Sequence, residues 1–345
     1  IVPINDIMCR HGDLQIATSG RAFWILDDLG LIRQYQEGES TEIFAIYKPE
    51  DGMLGNWGSE LNNTSKEFKG SNPFSGVNPA YGIVIYYQLP KIGDSLDVTL
   101  EIKNSKGVVV NTFSSKKIDK PTYDSPKLSK DKGINRFVWN LNYRSLVEVP
   151  EIYTEGSQSG HTAPPGKYTI TLKSDSEEQK VECAILTNPT YNIAASEYEV
   201  YHEFMSQMEA LYNSMNENLN DLNKMQNQLS GVIKELDKEK YRELIKVGDS
   251  LLAKIKDWDE SMVQRKTKVY DDVENFPNKF TAQYLFLMNQ SNSSLPRITN
   301  SSRDRRVELD TQWSALEKRY KKIITVDIPE FNKMLWDAGF GILRK

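Results

Sequence analysis

The sequence predicts a multidomain β-plus-α protein, and three observations predict it. Short apolar runs open the chain at Ile4–Met8, Leu14–Thr18 and Phe23–Leu26. A second series of short β-type runs, with turn residues between them, fills residues 80–188. From Ala195 onward the apolar positions recur at steps of three and four. Period two reads as strand and period 3.6 as helix. The architecture expected is a set of terminal strands from a repeated β-structure, an immunoglobulin-like β-sandwich, and an antiparallel helical bundle. A chain of 345 residues is long enough for two or three domains.

Residues 1–35 carry the terminal strands. Leu14-Gln15-Ile16-Ala17-Thr18 alternates, Gly20-Arg21 turns the chain, and Phe23-Trp24-Ile25-Leu26 follows as a second apolar run. This segment reads as the last part of something larger. Residues 36–79 read as a linker or irregular stretch. Ile43–Tyr47 is a short strand candidate there, and Asp51 to Pro79 is rich in Gly, Asn, Ser and Pro. Residues 80–188 form the sandwich. Its strands are Gly82–Tyr87, Asp97–Ile102, Val108–Phe113, Gly133–Leu141, Lys167–Leu172 and Lys180–Leu186, with turns at Asn104–Gly107 and Ala163–Gly166. Trp139 reads as a core residue there, not a ligand platform.

Residues 189–345 form the bundle. One helix of about forty residues begins at Ala195, well beyond the mean helix length. Its Tyr198, Tyr201, Met205, Met208, Tyr212, Met215 and Leu219 stripe reads as bundle core, with a promiscuous groove as the competing reading. Further helices are expected over Tyr241–Val263, Glu274–Asn289 and Arg303–Ile324. Pro329 opens a last one ending near Asp337. The Ser/Asn-rich stretch Gln290–Ser302 reads as an exposed, protease-sensitive loop.

Charge and composition exclude several classes. Forty-three basic and 48 acidic residues leave a net charge of -5, so there is no electrostatic case for nucleic acid. No apolar run reaches the roughly 20 residues of a transmembrane helix. Ile1-Val2-Pro3-Ile4 carries no basic n-region, so no signal peptide is read there. Cys9 and Cys183 fall in different predicted domains and read as two lone thiols.

No catalytic motif stands out. His11, His161 and His202 lie in different sequence contexts, and no zinc, EF-hand, nucleophile-elbow or Walker spacing occurs. No metal and no cofactor is expected, and no catalytic residue is assigned. Asp13, Asp27 and Asp28 sit at strand ends and read as turn caps. Asp271-Asp272 and Asp257, Asp259 and Glu260 read as solvated helical acids, with no motif selecting a hydrolytic pair. Arg21 is the one ligand-site candidate. A forked guanidinium after a glycine at a strand end suits a carboxylate, and a structural pair with a neighbouring acid is the competing reading. Asn62, Asn289, Asn292 and Asn300 lie in Asn-x-Ser/Thr sequons and are read as incidental.

The run His11-Gly12-Asp13-Leu14-Gln15-Ile16-Ala17-Thr18-Ser19-Gly20-Arg21-Ala22-Phe23-Trp24-Ile25-Leu26-Asp27-Asp28 resembles the end of the propeller in large secreted bacterial proteins. Those proteins are described as BNR-repeat glycosyl hydrolase-like, or sortilin (VPS10)-like. The resemblance continues through Gly133–Leu141, Ala163–Tyr168, Asp272–Pro277 and Ile328–Asn332. Ser19 stands where that family commonly has a histidine, and the Asp-box signature is absent. The resemblance implies that residues 1–35 are terminal strands of a β-propeller and that an upstream propeller of the same protein is the partner. It implies a secreted, periplasmic or envelope-associated location. It also implies a non-catalytic structural and interaction role for this region. Two other roles stay open: an accessory part of a glycoside hydrolase whose site lies upstream, and a sortilin-like peptide- or protein-binding module. The ligand would then be a glycan or a protein. Fold-level likeness does not establish chemistry.

Overall fold

The computed structural model describes residues 2–35, 43–62, 76–91, 93, 97–116, 126–175 and 177–344. It is a β-plus-α protein with three sheets and seven α-helices among those residues. The chain divides into two compact units, residues 1–145 with 159–195, and residues 146–158 with 196–345.

The β unit opens on an antiparallel meander of β1 (Ile4–Arg10), β2 (Asp13–Thr18) and β3 (Phe23–Leu26), in that order across the sheet. A short helix α1 (Gly30–Gln34) follows. Two further sheets share one core. The first runs β5-β11-β10-β7-β8, built from β5 (Gly52–Met53), β7 (Thr99–Asn104), β8 (Val109–Ser114), β10 (Gly166–Lys173) and β11 (Glu178–Leu186). The second runs β4-β6-β9, from β4 (Ala45–Ile46), β6 (Ile83–Leu89) and β9 (Gly133–Trp139).

Alternation places Leu100, Ile102, Ile170 and Leu172 of one sheet and Ile83, Ile85, Tyr87 and Leu89 of the other in the interior. Aromatic contacts join the two sheets. Phe113 meets Phe137 at 4.6 Å, and Trp139 meets the Tyr168 ring edge-on at 5.4 Å. Trp139 is fully buried and donates its indole N–H to the Asn142 carbonyl, which is the core role expected of it. The β7–β8 turn forms as predicted. Asn104 Oδ1 accepts the Lys106 and Val108 amides, both at 3.0 Å, and Gly107 takes a positive φ of 75°.

Part of the stretch read as linker is built into this core. Gly52 and Met53 pair in parallel with Ile185 and Leu186, and Phe44, Tyr47, Leu54 and Leu61 are buried. Two-residue strands carry no period for a sequence to display. Residues 36–42 and 63–75 of that stretch lie outside the described residues.

The helical unit is dominated by α2 (Ala195–Glu235), with α3 (Arg242–Met262), α4 (Asp272–Asn275), α5 (Phe280–Ser293), α6 (Asn300–Lys322) and α7 (Ile328–Asp337). The Met and aromatic stripe of α2 is core: Tyr201, Met208, Tyr212, Met215, Leu219 and Leu222 are buried in one cluster with Trp258, Tyr284 and Phe331. Trp258 of α3 donates its indole N–H to the Leu316 carbonyl of α6 at 2.9 Å.

Three helix boundaries differ from expectation. Helix α5 starts after Phe276-Pro277 instead of spanning them, because proline disfavours helix in the residue before it. It then runs through the Ser/Asn-rich stretch to Ser293, with Ser291 buried, and α6 starts at Asn300 under a cap in which Thr299 Oγ1 accepts the Ser302 amide at 3.1 Å. The long loop expected over 290–302 is thus the short connection 294–299. Pro329 sits in the first turn of α7, which ends at Asp337 as expected, but no loop precedes that helix. A π-helical turn at Ile323–Asp327 joins α6 to α7, and the Ile328 amide reaches back to the Ile323 carbonyl. The wider turn accommodates a proline that lacks an amide hydrogen.

Candidate interaction surface

The register of the first sheet sorts its side chains into two faces. Residues directly opposite share a face. Ile7, Ile16 and Trp24 stand in one row across the three strands, and Cys9, Leu14 and Leu26 in the next. One face is therefore apolar throughout these two rows. The opposite face carries Asp6, Ala17 and Phe23 in one row and Met8, Gln15 and Ile25 in the other.

Both faces are open. Phe23 is 82% exposed, Ile25 61%, Ile7 57% and Trp24 42%. A monomer rarely leaves so continuous an apolar surface uncovered. The outer strands β1 and β3 have no further strand beside them among the described residues.

Arg21 lies in the tight turn between β2 and β3 and is exposed. Its carbonyl accepts the Trp24 indole N–H at 3.0 Å, so the turn and the apolar row are tied together. Two of the acids at the strand ends, Asp13 and Asp28, cap turns. Asp13 Oδ1 accepts the Asp28 amide at 3.0 Å, and Asp28 Oδ1 accepts the Gly30 amide at 3.0 Å. Burial raises the Asp28 carboxyl above its usual range against the lowering hydrogen bond from Gly30. Glu50 and Asp13 add like charge, and Arg136 opposes them. Asp27 is shifted upward too, by lost solvent first and by Asp13 second.

The remaining sequence candidates scatter. His11 is exposed, His161 is buried and stacked on Tyr143 at 4.2 Å, and the His202 ring lies 3.3 Å from Ser206 Oγ. Among the described residues no group of three or more His, Cys, Asp or Glu side chains is placed to hold a metal ion. Cys9 and Cys183 are both free thiols; Cys9 is exposed, and burial, with Asp51 adding, pushes the Cys183 thiol up to about 12. Asn289 and Asn292, two of the sequon residues, are structurally engaged: Asn289 Oδ1 accepts the Ser157 amide, and Asn292 Oδ1 accepts the Tyr201 hydroxyl. No described helix is long and apolar enough to cross a membrane. No family model, no curated protein and no solved structure matches the chain.

Proposed function

We propose that this chain is a non-catalytic structural and interaction region whose first sheet is held between other β-sheets. The observation that carries the reading is the pair of open faces on β1–β3, one of them wholly apolar across two rows. A surface sheet of a small domain hides one face and wets the other. A propeller blade hides both, because neighbouring blades pack on either side of it. Three antiparallel strands whose outer edges pair with no other strand among the described residues fit the terminal part of such a four-stranded blade. In this reading the two stacked sheets of the β unit are an immunoglobulin-like sandwich and the helices an antiparallel bundle. The partner is a propeller of the same protein, and Arg21 sits at its rim as the carboxylate-binding candidate. A secreted or envelope-associated setting accompanies the resemblance on which this reading draws.

Cys9 tests it, since its side chain belongs to the apolar face. Maleimide labelling is compared between this chain alone and the longest natural polypeptide that carries it. Docking protects Cys9 in the longer protein by about tenfold or more in rate, the protection expected for a thiol covered by a packed interface. Equal labelling in both overturns the reading.

A further inference from the structure

The helical unit carries a row of side chains that apolar periodicity does not reveal. Asn213, Asn216, Asn220, Asn223 and Asn227 recur along α2 at steps of three, four, three and four. That spacing puts all five amides on one face of the helix. Asparagine is a poor helix former, so five in one row call for a reason.

The first three have one. They bind the main chain of an extended strap, residues 146–158. The Val147 amide donates to Asn213 Oδ1 at 2.8 Å, and Asn216 Nδ2 donates to the Val147 carbonyl at 2.6 Å. Asn220 Nδ2 donates to the Glu148 carbonyl at 2.9 Å. Asn213 and Asn216 thus satisfy both polar groups of one residue, as a neighbouring β-strand would.

The last two asparagines do not hold the strap. Asn227 Nδ2 reaches Asn223 Oδ1 at 3.3 Å, and both line a cavity of about 470 Å³ with Asn220, Glu151, Arg265 and Lys268. A second cavity of about 400 Å³ shares Asn223 and Arg265 with the first and adds Lys256, Lys266 and Lys279. Cavities of this size hold small ligands. Six cations line the two cavities, Lys224, Lys256, Arg265, Lys266, Lys268 and Lys279, against the acids Glu151, Asp259 and Glu260. Arg265 and Asp259 are paired, as are Lys256 and Glu260 at 3.7 Å and Lys224 and Asp221 at 3.5 Å, and Lys268 Nζ donates to the Glu151 carbonyl.

We propose that Asn223, Asn227 and the cations around them form a binding site for an extended acidic polypeptide segment. The occupant's main chain takes the two rungs of the asparagine ladder that the strap leaves, displacing the Asn227–Asn223 hydrogen bond, as Val147 and Glu148 take the first three, and its carboxylates meet the lysines. The strap itself shows the pattern, since Val147-Glu148-Val149 alternates an apolar and an acidic side chain. This site stands on the helical unit alone and is independent of docking by the first sheet.

The test is fluorescence anisotropy on the full chain with a labelled, acetylated peptide of four valine–glutamate repeats. A valine–lysine peptide of the same length and an oligogalacturonate of similar charge run beside it. The proposal expects saturable binding of the acidic peptide only. N223A/N227A weakens it about tenfold, the effect of losing two hydrogen bonds. Lys266→Glu, a surface change, weakens it several-fold and keeps the mutational test alive if the double variant unfolds. Binding untouched by both variants, equal binding of the lysine peptide, or no binding of the acidic peptide overturns the proposal. Asparagine-dependent binding of the oligogalacturonate in place of the peptide overturns it in favour of a glycan site.

Discussion

Arg265 grips the carboxylate of Asp259 through two hydrogen bonds, Nε to Oδ2 at 2.9 Å and Nη2 to Oδ1 at 2.6 Å. Asp259 is buried, whereas the Arg265 side chain keeps 29% of its surface in solvent. Removing the guanidinium strands a buried carboxylate. Arg265→Ala should therefore cost about 2 kcal/mol in urea unfolding, less than a fully buried broken pair because water reaches the site. Asp259→Leu combined with Arg265→Met should recover most of that loss. A double variant no more stable than Arg265→Ala would refute the account.

Gly82 and Gly107 separate clash from backbone strain. Both have positive φ, 124° and 75°. A Cβ on Gly82 would sit 2.2 Å from the Trp139 carbonyl oxygen, while one on Gly107 meets no described residue within 4 Å. Gly107→Ala should cost about 1 kcal/mol, the left-handed penalty alone. Gly82→Ala should cost well over 2 kcal/mol, because β6 and β9 must part to admit it. Thermal unfolding of the two variants side by side checks the difference in order.

The open sheet makes a prediction about association. Ile7 and Trp24 are cross-strand neighbours through Ile16 on the apolar face. Ile7→Lys with Trp24→Lys should lower the melting temperature of the isolated chain only slightly, since both side chains are exposed and the one hydrogen bond lost is that of the Trp24 indole to the Arg21 carbonyl. Light scattering should show less self-association than wild type at the same concentration. A large drop in melting temperature would mean that these side chains already support the fold.

Asp28 sets a pH dependence. Its folded-state carboxyl is raised above the unfolded value of 3.8, so the folded protein binds the proton more tightly. Its contribution to stability therefore falls as pH rises through the folded pKa, and is restored as pH drops below the unfolded one. Asp28→Asn keeps an oxygen for the Gly30 amide and removes repulsion from Glu50 and Asp13. The variant should melt slightly higher at neutral pH and show a smaller fall in stability between acid and neutral pH. A lower melting point at neutral pH would mean that attraction to Arg136 dominates.

Legibility in the sequence followed period. The meander strands, the β7–β8 hairpin with its Asn104–Gly107 turn, and the length of α2 all carry runs long enough for alternation or a three-four step to declare itself. Strands β4 and β5 span two residues each and declare nothing. Residues 290–293 and 300–302 are helical despite a Ser/Asn composition, because tertiary packing overrides propensity where Ser291 is buried and Thr299 caps. The asparagine row on α2 was invisible for the opposite reason. Its spacing is helical, but a search for apolar periodicity passes over polar residues.

The strap has a consequence for anyone cutting this gene. Residues 146–158 leave the β unit, lie with the helices, and hand the chain back at residue 159. The polypeptide therefore crosses between the units three times. A fragment ending before Ala195 keeps the strap but discards the helix whose amides hold Val147 and Glu148. A fragment starting at Ala195 keeps the ladder and leaves its first three rungs empty. Neither piece is a natural cloning unit, and complementation between two separately expressed halves would have to thread this crossover from its middle. Gene fusions that respect the fold keep residues 146–158 and α2 on the same polypeptide.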